Sequence, residues 1–298
     1  MVQSTAPLAR TPAAANRVFE TTLREIIWET PDTVTLILDP GDHPRTYKAG
    51  QYISIDVQQF RELKQQVAYF EHVKGRREAP RAYSLTSTPD EPYLAITIKE
   101  ETFEPGQTEY PPLLSPFLVF GVREGMKITA KGYTGYYVLP DDVEDRTDHI
   151  VHIVAGSGVV PNFAILKWAL VHKPMLRHSF VYSNRTWGDV IFAKQLLELE
   201  RKHPDKLKIY HCLTRESEPP AEAPDAKLGR VDRELLASII TDPNDCLVYA
   251  CGPGLSRWDK RAARERGEEP KPRFLESVRA ILNELEVPRR AIHTEAYG

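Results

Sequence analysis

The sequence predicts a two-domain protein in which an antiparallel β-barrel is followed by a parallel-sheet α/β domain. Three observations support this fold class. The chain has 298 residues, about twice the usual size of a single domain. Its first half contains short β-type segments bounded by Pro, Gly and Asp. Its second half alternates strand-like and helix-like segments, which is typical of a parallel sheet covered by helices.

The predicted barrel occupies residues 17–141, after a leader (1–16) whose prolines and alanines predict disorder. Between two of its strands lies a helical insertion, Phe60–Gly75, in which Leu63, Val67 and Phe70 recur about one turn apart. The predicted strands carry β-branched or aromatic residues and are bounded by Pro, Gly and Asp. In chain order they are Phe19–Trp28, Thr33–Asp39, Gln51–Val57, Tyr93–Lys99, Met126–Ala130 and Gly132–Leu139.

The predicted α/β domain occupies residues 148–298 and follows the charged stretch Asp141–Asp148. Apolar runs of strand length alternate with segments of helical periodicity. The predicted strands are Ile150–Ala155, His178–Tyr182, Leu207–His211 and Cys246–Ala250, and the predicted helices are Asn162–Val171, Val190–Lys202 and Arg273–Leu285. A solvated loop is predicted over Glu216–Lys227, which is rich in Pro, Glu and Ala.

Composition narrows the function classes. Hydrophobic content of 41% and charged content of 27% are ordinary for a globular protein. The formal net charge of −3 gives no nucleic-acid signal, and no apolar run is long enough to cross a membrane. The N-terminus lacks a secretory pattern, and three cysteines fit a reducing cytoplasm. Their spacing does not suit an iron–sulfur cluster, and we expect no metal site.

The run Arg81-Ala-Tyr-Ser-Leu-Thr-Ser87 is the most informative motif. A strand here would place Arg81 and Tyr83 on one side and Ser84 on the other. A flavin nucleotide needs such a set, because a guanidinium binds phosphate, an aromatic ring packs on the flavin and hydroxyls bond its polar edge. The alternative is an ordinary strand with a solvated arginine.

Two glycine-containing runs follow apolar strands in the second half. Gly156-Ser-Gly158 comes before a predicted helix that carries Pro161 in its first turn. Such a turn lets the backbone approach a pyrophosphate at a helix N-terminus. Cys251-Gly252-Pro253 is predicted to form a glycine-bracketed turn after another strand, at the edge where open α/β sheets bind ligands. A plain strand–helix turn and a buried filler cysteine are the alternatives.

In this order, the three runs resemble the ferredoxin–NADP reductase superfamily, from about Phe19 to Gly298. The resemblance implies a barrel that binds FAD, with FMN less favoured, and an α/β domain that binds NADPH or NADH. It assigns the flavin phosphates to Arg81, the isoalloxazine to Tyr83 and the reactive edge to Ser84. Ser87 and Ser115 complete its flavin motifs, although Pro112 stands where the family has a glycine before Ser115.

The resemblance also implies the remaining site residues. Cys251 would lie beside the nicotinamide with Gly252 and Pro253, and Glu295 would be a nearby carboxylate. We therefore expect Ser84, Cys251 and Glu295 to be the catalytic set, with Tyr297 covering part of the flavin or lying in a mobile tail. Ser183, Arg185, Thr214 and Arg215 match the places where relatives contact the adenosine ribose. An arginine there can bind a 2′-phosphate, which favours NADPH, although solvated arginines are the alternative.

The expected activity is electron transfer from NAD(P)H through FAD to a separate acceptor. Many relatives continue into an iron–sulfur domain, whereas this sequence ends at Gly298 without its cysteine pattern. A ferredoxin or an iron–sulfur oxygenase component is the expected partner. Alternatives are a reductase of free flavin or of a haem protein, and a flavin- or nucleotide-binding sensor. The helical insertion and the charged segment 256–271 are candidate partner contacts, although a solvated loop is the simpler explanation of the latter.

Overall fold

The computed structural model describes residues 17–103 and 108–297, so the predicted leader lies outside the described residues. Two six-stranded sheets, one antiparallel and one parallel, organise the chain, which confirms the predicted fold class. The first half forms β1 (Arg17–Thr30), β2 (Thr33–Asp39), β3 (Tyr52–Ile55), α1 (Lys64–Lys74), β4 (Arg81–Ser84), β5 (Leu94–Lys99), α2 (Leu114–Phe120) and β6 (Lys127–Thr134).

The antiparallel strands follow the order β4-β3-β6-β1-β2-β5. An isolated bridge between Leu85 and Ile96 connects the first and last strands of this order, and the Thr86 amide donates to the Ala95 carbonyl at 2.8 Å. These contacts close the sheet into a barrel, so its two edges satisfy each other's backbone groups. Fully buried aliphatic side chains, including Leu36, Ile53 and Ile128, fill the interior.

The helical insertion is present as predicted. A short 3₁₀ turn over Arg61–Leu63 leads into α1, and Gly75 ends the helix in the left-handed conformation with φ of 62°. Val67 and Phe70 are buried, so the apolar stripe read from the sequence does face the protein.

The second half forms a parallel sheet with the order β10-β9-β8-β7-β11-β12. Strand polarity puts the carboxyl ends of these strands on one edge, where the loops that carry the second and third motifs lie. The elements are α3 (Val143–Arg146), β7 (His149–Ala155), α4 (Val159–His172), β8 (Arg177–Asn184), α5 (Ala193–Lys202), β9 (Leu207–Leu213), β10 (Lys227–Leu228), α6 (Arg233–Ile239), β11 (Leu247–Pro253), α7 (Arg257–Glu265), α8 (Phe274–Glu284) and β12 (Ile292–Tyr297).

Four local features differ from the expectations or from their stated alternatives. Gly132–Leu139 is not a strand of its own, because β6 continues through Gly132 to Thr134 and the chain then leaves the sheet. Helix α2 was not predicted, and the charged segment 256–271, for which a solvated loop was the alternative, contains α7. The final residues are not a tail: β12 pairs in parallel with β11.

No helix within residues 17–103 and 108–297 combines the length and the apolar character needed to cross a membrane.

Candidate active site

Strand β4 presents the first half of the candidate site. Its register with β3 pairs Tyr83 with Ile53 and Ser84 with Tyr52, so the predicted strand geometry holds over Arg81–Ser84. Arg81 is exposed, Tyr83 is half-buried and Ser84 is buried. The strand therefore offers a cation and a ring to the outside of the barrel, with a hydroxyl beneath them.

Ser87 does not lie with these residues. It is fully buried, its hydroxyl lies 2.8 Å from the Tyr47 hydroxyl, and it accepts a hydrogen bond from the Ala95 amide at 2.9 Å. These partners use the hydroxyl inside the barrel, where it supports the closure of β4 against β5. The structure thus places Ser87 inside the barrel and apart from Arg81 and Tyr83, and its contact with a cofactor stays a prediction.

Ser115 lies in the first turn of α2 and is buried. Its hydroxyl accepts a hydrogen bond from the Glu101 amide at 3.3 Å, which ties α2 to the segment that follows β5. The carboxylate of Glu101 in turn opposes ionisation of Tyr83, whose pKa is raised first by burial and then by this charge. Ser115 therefore adjoins the Tyr83 side of the site.

The glycine run at the end of β7 forms the predicted turn. Gly156–Gly158 is a single 3₁₀ turn that leads into α4, and Pro161 occupies the first turn of that helix. Gly156 has φ of +52° and open space where a Cβ would project. Gly158 is different, because a Cβ there would lie 2.3 Å from the Cys251 carbonyl oxygen. The two glycines thus have separate roles. Gly156 leaves a backbone surface open, and Gly158 lets the turn pack directly against the backbone of β11.

Cys251, Gly252 and Pro253 belong to β11 and are not a turn, which corrects the sequence expectation. They pair with Glu295, Ala296 and Tyr297 of β12, respectively. The chain continues as a strand because β12 supplies the partner backbone. Cys251 is fully buried, and burial raises the pKa of its thiol well above its ordinary value, with the Glu295 charge acting in the same direction. The thiol is therefore protonated at neutral pH.

The two sheets meet where Ser84 approaches β12. Ser84 lies close to the Glu295 carboxyl and to Tyr297, and its proximity lowers the pKa of both groups against the larger effect of burial. Glu295 is the ladder partner of Cys251, so the three residues predicted as the catalytic set are brought together with Tyr297. Burial raises the pKa of Glu295 to about 7, against the hydrogen bond from Ser84. This carboxyl can consequently hold or release a proton near neutral pH.

Sequence reasoning missed two members of this site, Tyr137 and Asn162. Tyr137 is buried, and its pKa is raised by burial first and then by Cys251 and Glu295. Its hydroxyl accepts a hydrogen bond from Asn162 Nδ2 at 2.9 Å, while Asn162 Oδ1 lies 2.8 Å from His152 Nδ1. The ring centroid of Tyr137 lies 5.3 Å from that of Tyr249 on β11, and this approach depends on how the two halves of the chain pack, so no local pattern reveals it.

The residues predicted to contact a ribose lie on two neighbouring strand ends. Ser183 is buried near the end of β8, whereas Arg185, Thr214 and Arg215 are exposed. The Arg215 amide donates to the Arg185 carbonyl at 2.8 Å, and the Thr214 amide donates to the Asn184 carbonyl at 3.0 Å. The two arginines therefore project from adjacent backbone positions at the carboxyl edge of the sheet.

Three observations show that this arrangement fits a bound flavin nucleotide and a nicotinamide nucleotide. Glu295 Oε2 is buried and has no hydrogen-bond partner among the described residues. The Gly156 turn faces open space, and the side chain of Arg81, two residues before Tyr83 on β4, is 46% exposed. Within the described part of the chain, no cluster of three His, Cys, Asp or Glu side chains could hold a metal ion.

Residues 153–257 match the family described as the oxidoreductase NAD-binding domain. The chain is 26% identical over 292 residues to the ferredoxin reductase component of 3-ketosteroid-9-alpha-monooxygenase from Mycobacterium tuberculosis, covering 95% of this chain and 66% of that protein. It is 28% identical over 228 residues to an NADPH oxidoreductase of the same species, covering 76% of this chain and 50% of the relative. The chain thus spans about half to two thirds of the length of these curated relatives.

Solved structures share the fold along nearly the whole chain. The FAD/NAD-binding domain of nitric oxide dioxygenase from Vibrio cholerae superposes with a TM-score of 0.69 at 23% identity, covering 95% of this chain and 99% of that one. Ferredoxin–NADP⁺ reductase from Plasmodium falciparum gives a TM-score of 0.64 at 15% identity, covering 96% and 99%. The chain therefore shares the fold of these reductases, and residues 153–257 within it match the NAD-binding family.

Proposed function

We propose that this protein is a flavin-dependent oxidoreductase that passes electrons from NADPH or NADH through FAD to a separate ferredoxin or iron–sulfur oxygenase component. The carrying observation is the junction at which Ser84 of the barrel meets Glu295, the ladder partner of Cys251. A site of this kind lies between a surface suited to a flavin and a strand end suited to a nicotinamide. Neither half alone would bring the two cofactors together.

FAD, when bound, accepts a hydride equivalent from the reduced nicotinamide and releases its electrons singly. In our proposal Tyr83 packs against the flavin ring, Arg81 binds its phosphates and Ser84 donates a hydrogen bond at its reactive edge. Cys251, Gly252 and Pro253 shape the nicotinamide side. Glu295, with a pKa of about 7, holds a proton beside Ser84.

The nucleotide half of the proposal uses the other strand ends. Gly156, Gly158 and Pro161 form the helix N-terminus that approaches the pyrophosphate. Ser183 and Thr214 lie near the ribose position, where Arg185 and Arg215 would bind a 2′-phosphate. This arrangement favours NADPH over NADH. In this proposal Tyr297 of β12, which lies close to Ser84, covers part of the flavin site.

The separate acceptor is supported by the relative from Mycobacterium tuberculosis, which is named as one component of a monooxygenase. A second candidate acceptor is a haem protein, because a flavohemoprotein of Dictyostelium discoideum is 24% identical over 91% of this chain. The acceptors are distinguished by supplying a ferredoxin, cytochrome c or free flavin to the reduced protein and comparing the turnover rates.

The direct test is anaerobic reduction of the purified protein reconstituted with FAD. The protein should be yellow and should lose its flavin absorbance when either coenzyme is added, faster with NADPH. The double variant Arg185→Ala/Arg215→Ala should lower kcat/KM for NADPH about tenfold or more and leave NADH nearly unchanged. Arg201→Ala, at an exposed position on α5, is the matched control.

A protein that binds FAD but is bleached by neither coenzyme would contradict the oxidoreductase and favour a sensor. An unchanged ratio of NADPH to NADH turnover in the double variant would remove the two arginines from the coenzyme preference.

A further inference from the structure

The end of the helical insertion carries a buried carboxylate beside the cation of the flavin motif. Glu78 lies between α1 and β4 and is only 5% exposed. Its two carboxylate oxygens bind different cations: Oε1 lies 2.5 Å from Lys74 Nζ, and Oε2 lies 2.9 Å from Arg81 Nη2. The Glu78 amide also donates to Glu71 Oε1 at 2.9 Å. Glu78 is therefore held at both its side chain and its backbone.

Glu78 is charged at neutral pH. Burial alone would raise its pKa, but hydrogen bonds from Lys74 and Arg81 and their charges hold the pKa below the ordinary value. A buried carboxylate is tolerated only when it is paired in this way. The cluster of Lys74, Glu78 and Arg81 carries two positive charges and one negative charge, so it retains a net positive charge.

Lys74 is fixed in turn by two aromatic rings. Its ammonium group lies 4.7 Å from the ring centroids of both Phe70 and Tyr110. Phe70 belongs to α1, and Tyr110 belongs to the segment that leads into α2. The helical insertion thus reaches the segment that leads through Pro112 into α2.

The guanidinium of Arg81 is held in one orientation, but not all of its hydrogen-bond donors are paired. One nitrogen donates to Glu78, and Nη1 donates to the Ala79 carbonyl at 2.6 Å. A guanidinium has five N–H donors in a planar fork, so three remain. The side chain is 46% exposed, which leaves its outer edge accessible to an anion.

We propose that Glu78 is a positioning residue that holds the Arg81 guanidinium towards the phosphates of the flavin nucleotide, with Lys74 as its counter-charge. This inference rests on the proposed function. Fixing the arginine before binding lowers the entropy lost when the phosphates are bound. In this way the helical insertion fixes the position of the Arg81 side chain at the phosphate end of the site.

The test compares three flavins that share the isoalloxazine ring and differ in phosphate: FAD, FMN and riboflavin. Flavin is removed, and each ligand is titrated into the full chain by fluorescence quenching. Glu78→Gln should weaken binding of FAD and FMN about tenfold, as expected for loss of one charged hydrogen bond, and leave riboflavin unchanged. Glu62→Gln, at an exposed position just ahead of α1, is the matched control.

A double-mutant cycle of FAD affinity distinguishes a positioning role of Glu78 from a merely structural one. If Glu78 acts through Arg81, then Glu78→Gln should have little effect on FAD affinity in an Arg81→Ala background. Equal weakening of all three flavins, or additive losses in the cycle, would overturn the positioning role. Unchanged FAD affinity in Glu78→Gln would also overturn it, whereas a wild-type protein that binds no flavin would contradict the proposed function itself. Should Glu78→Gln not fold, Lys74→Gln replaces it and must show the same dependence on phosphate.

Discussion

Glu295 is the residue whose protonation most directly couples the candidate site to pH. Burial raises its pKa to about 7, whereas an unfolded glutamate titrates near 4.3. The folded state therefore favours the protonated form. The contribution of this carboxyl to stability is complete below the unfolded pKa and declines as the pH rises through the folded pKa.

Replacing Glu295 with Gln should remove this pH dependence. We expect Glu295→Gln to gain stability relative to the wild type between pH 5.5 and pH 8.5, by on the order of 1–3 kcal/mol. Calorimetric Tm values at both pH values measure the change. Glu222→Gln, in an exposed loop, should shift neither value. Parallel pH profiles for wild type and Glu295→Gln would show that the carboxyl is not held protonated by burial.

Residue types in a local motif were predictable, but their partners were not. The Arg81–Ser84 run indicated a strand with a cation, a ring and a hydroxyl, and the structure has that strand. Ser87 belongs to the same run, yet Tyr47 and Ala95 occupy its hydroxyl because the barrel closes there. No sequence pattern indicated Glu78, because its ion pairs depend on the course of the chain between α1 and β4.

At the scale of elements, the turn after β7 is in direct contact with the carboxyl end of β11 through Gly158. Its backbone has φ of −61°, which alanine adopts easily, so a substitution there is a test of space alone. A Cβ would lie 2.3 Å from the Cys251 carbonyl oxygen and 2.8 Å from the Gly252 amide nitrogen. Contacts this close cannot persist without moving the backbone that would bind the nicotinamide.

We expect Gly158→Ala to destabilise the protein by about 2–3 kcal/mol through overpacking, as measured by urea unfolding. Gly156→Ala is the matched comparison, because its Cβ meets open space and only the positive φ of 52° is unfavourable, at a cost of about 1 kcal/mol. Gly158→Ala should also lower kcat/KM for the coenzyme. Equal stability of the two variants would contradict the close contact between Gly158 and the Cys251 backbone.

The elements that the sequence analysis missed depend on distant partners. Strand β12 forms because β11 provides a parallel strand with which its backbone can pair. The local sequence Ile292–Tyr297 does not predict that pairing. Helix α7 did carry a local signal: Ser256 and Asp259 form a capping box, which the density of charges obscured. Helix α1 was predictable because its apolar spacing is intact over Leu63, Val67 and Phe70.

At the scale of the molecule, an ion pair connects the barrel with α4. Lys167 Nζ lies 2.8 Å from Glu91 Oε2, and both side chains are less than one third exposed. Burial would raise the pKa of Glu91, but the Lys167 charge, with hydrogen bonds from Lys167, Thr88 and Tyr93, keeps it below its ordinary value. Stability from this pair is therefore present above the unfolded pKa and is lost as the pH falls through the folded pKa.

Glu91→Gln should lower the free energy of unfolding by about 1–3 kcal/mol at pH 7, because it leaves Lys167 partly buried without its counter-charge. The loss should shrink below pH 4. Glu198→Gln is the control, since its pair with Lys202 on α5 is more than half exposed and should contribute at most about 0.5 kcal/mol. Chemical denaturation at both pH values measures the difference, and equal losses for the two variants would contradict a coupling role.

All three cysteines belong to the parallel-sheet half of the chain, and all are buried with thiol pKa values raised by burial. Only a thiolate reacts quickly with an alkylating reagent, so each sulfur must meet solvent before it can be labelled. The rate of labelling therefore measures how fast the parallel-sheet half opens. The barrel does not contribute to this rate, because it contains no cysteine. Cys251 sits beneath the site, and its labelling would report how often β11 and β12 part, before any coenzyme is added.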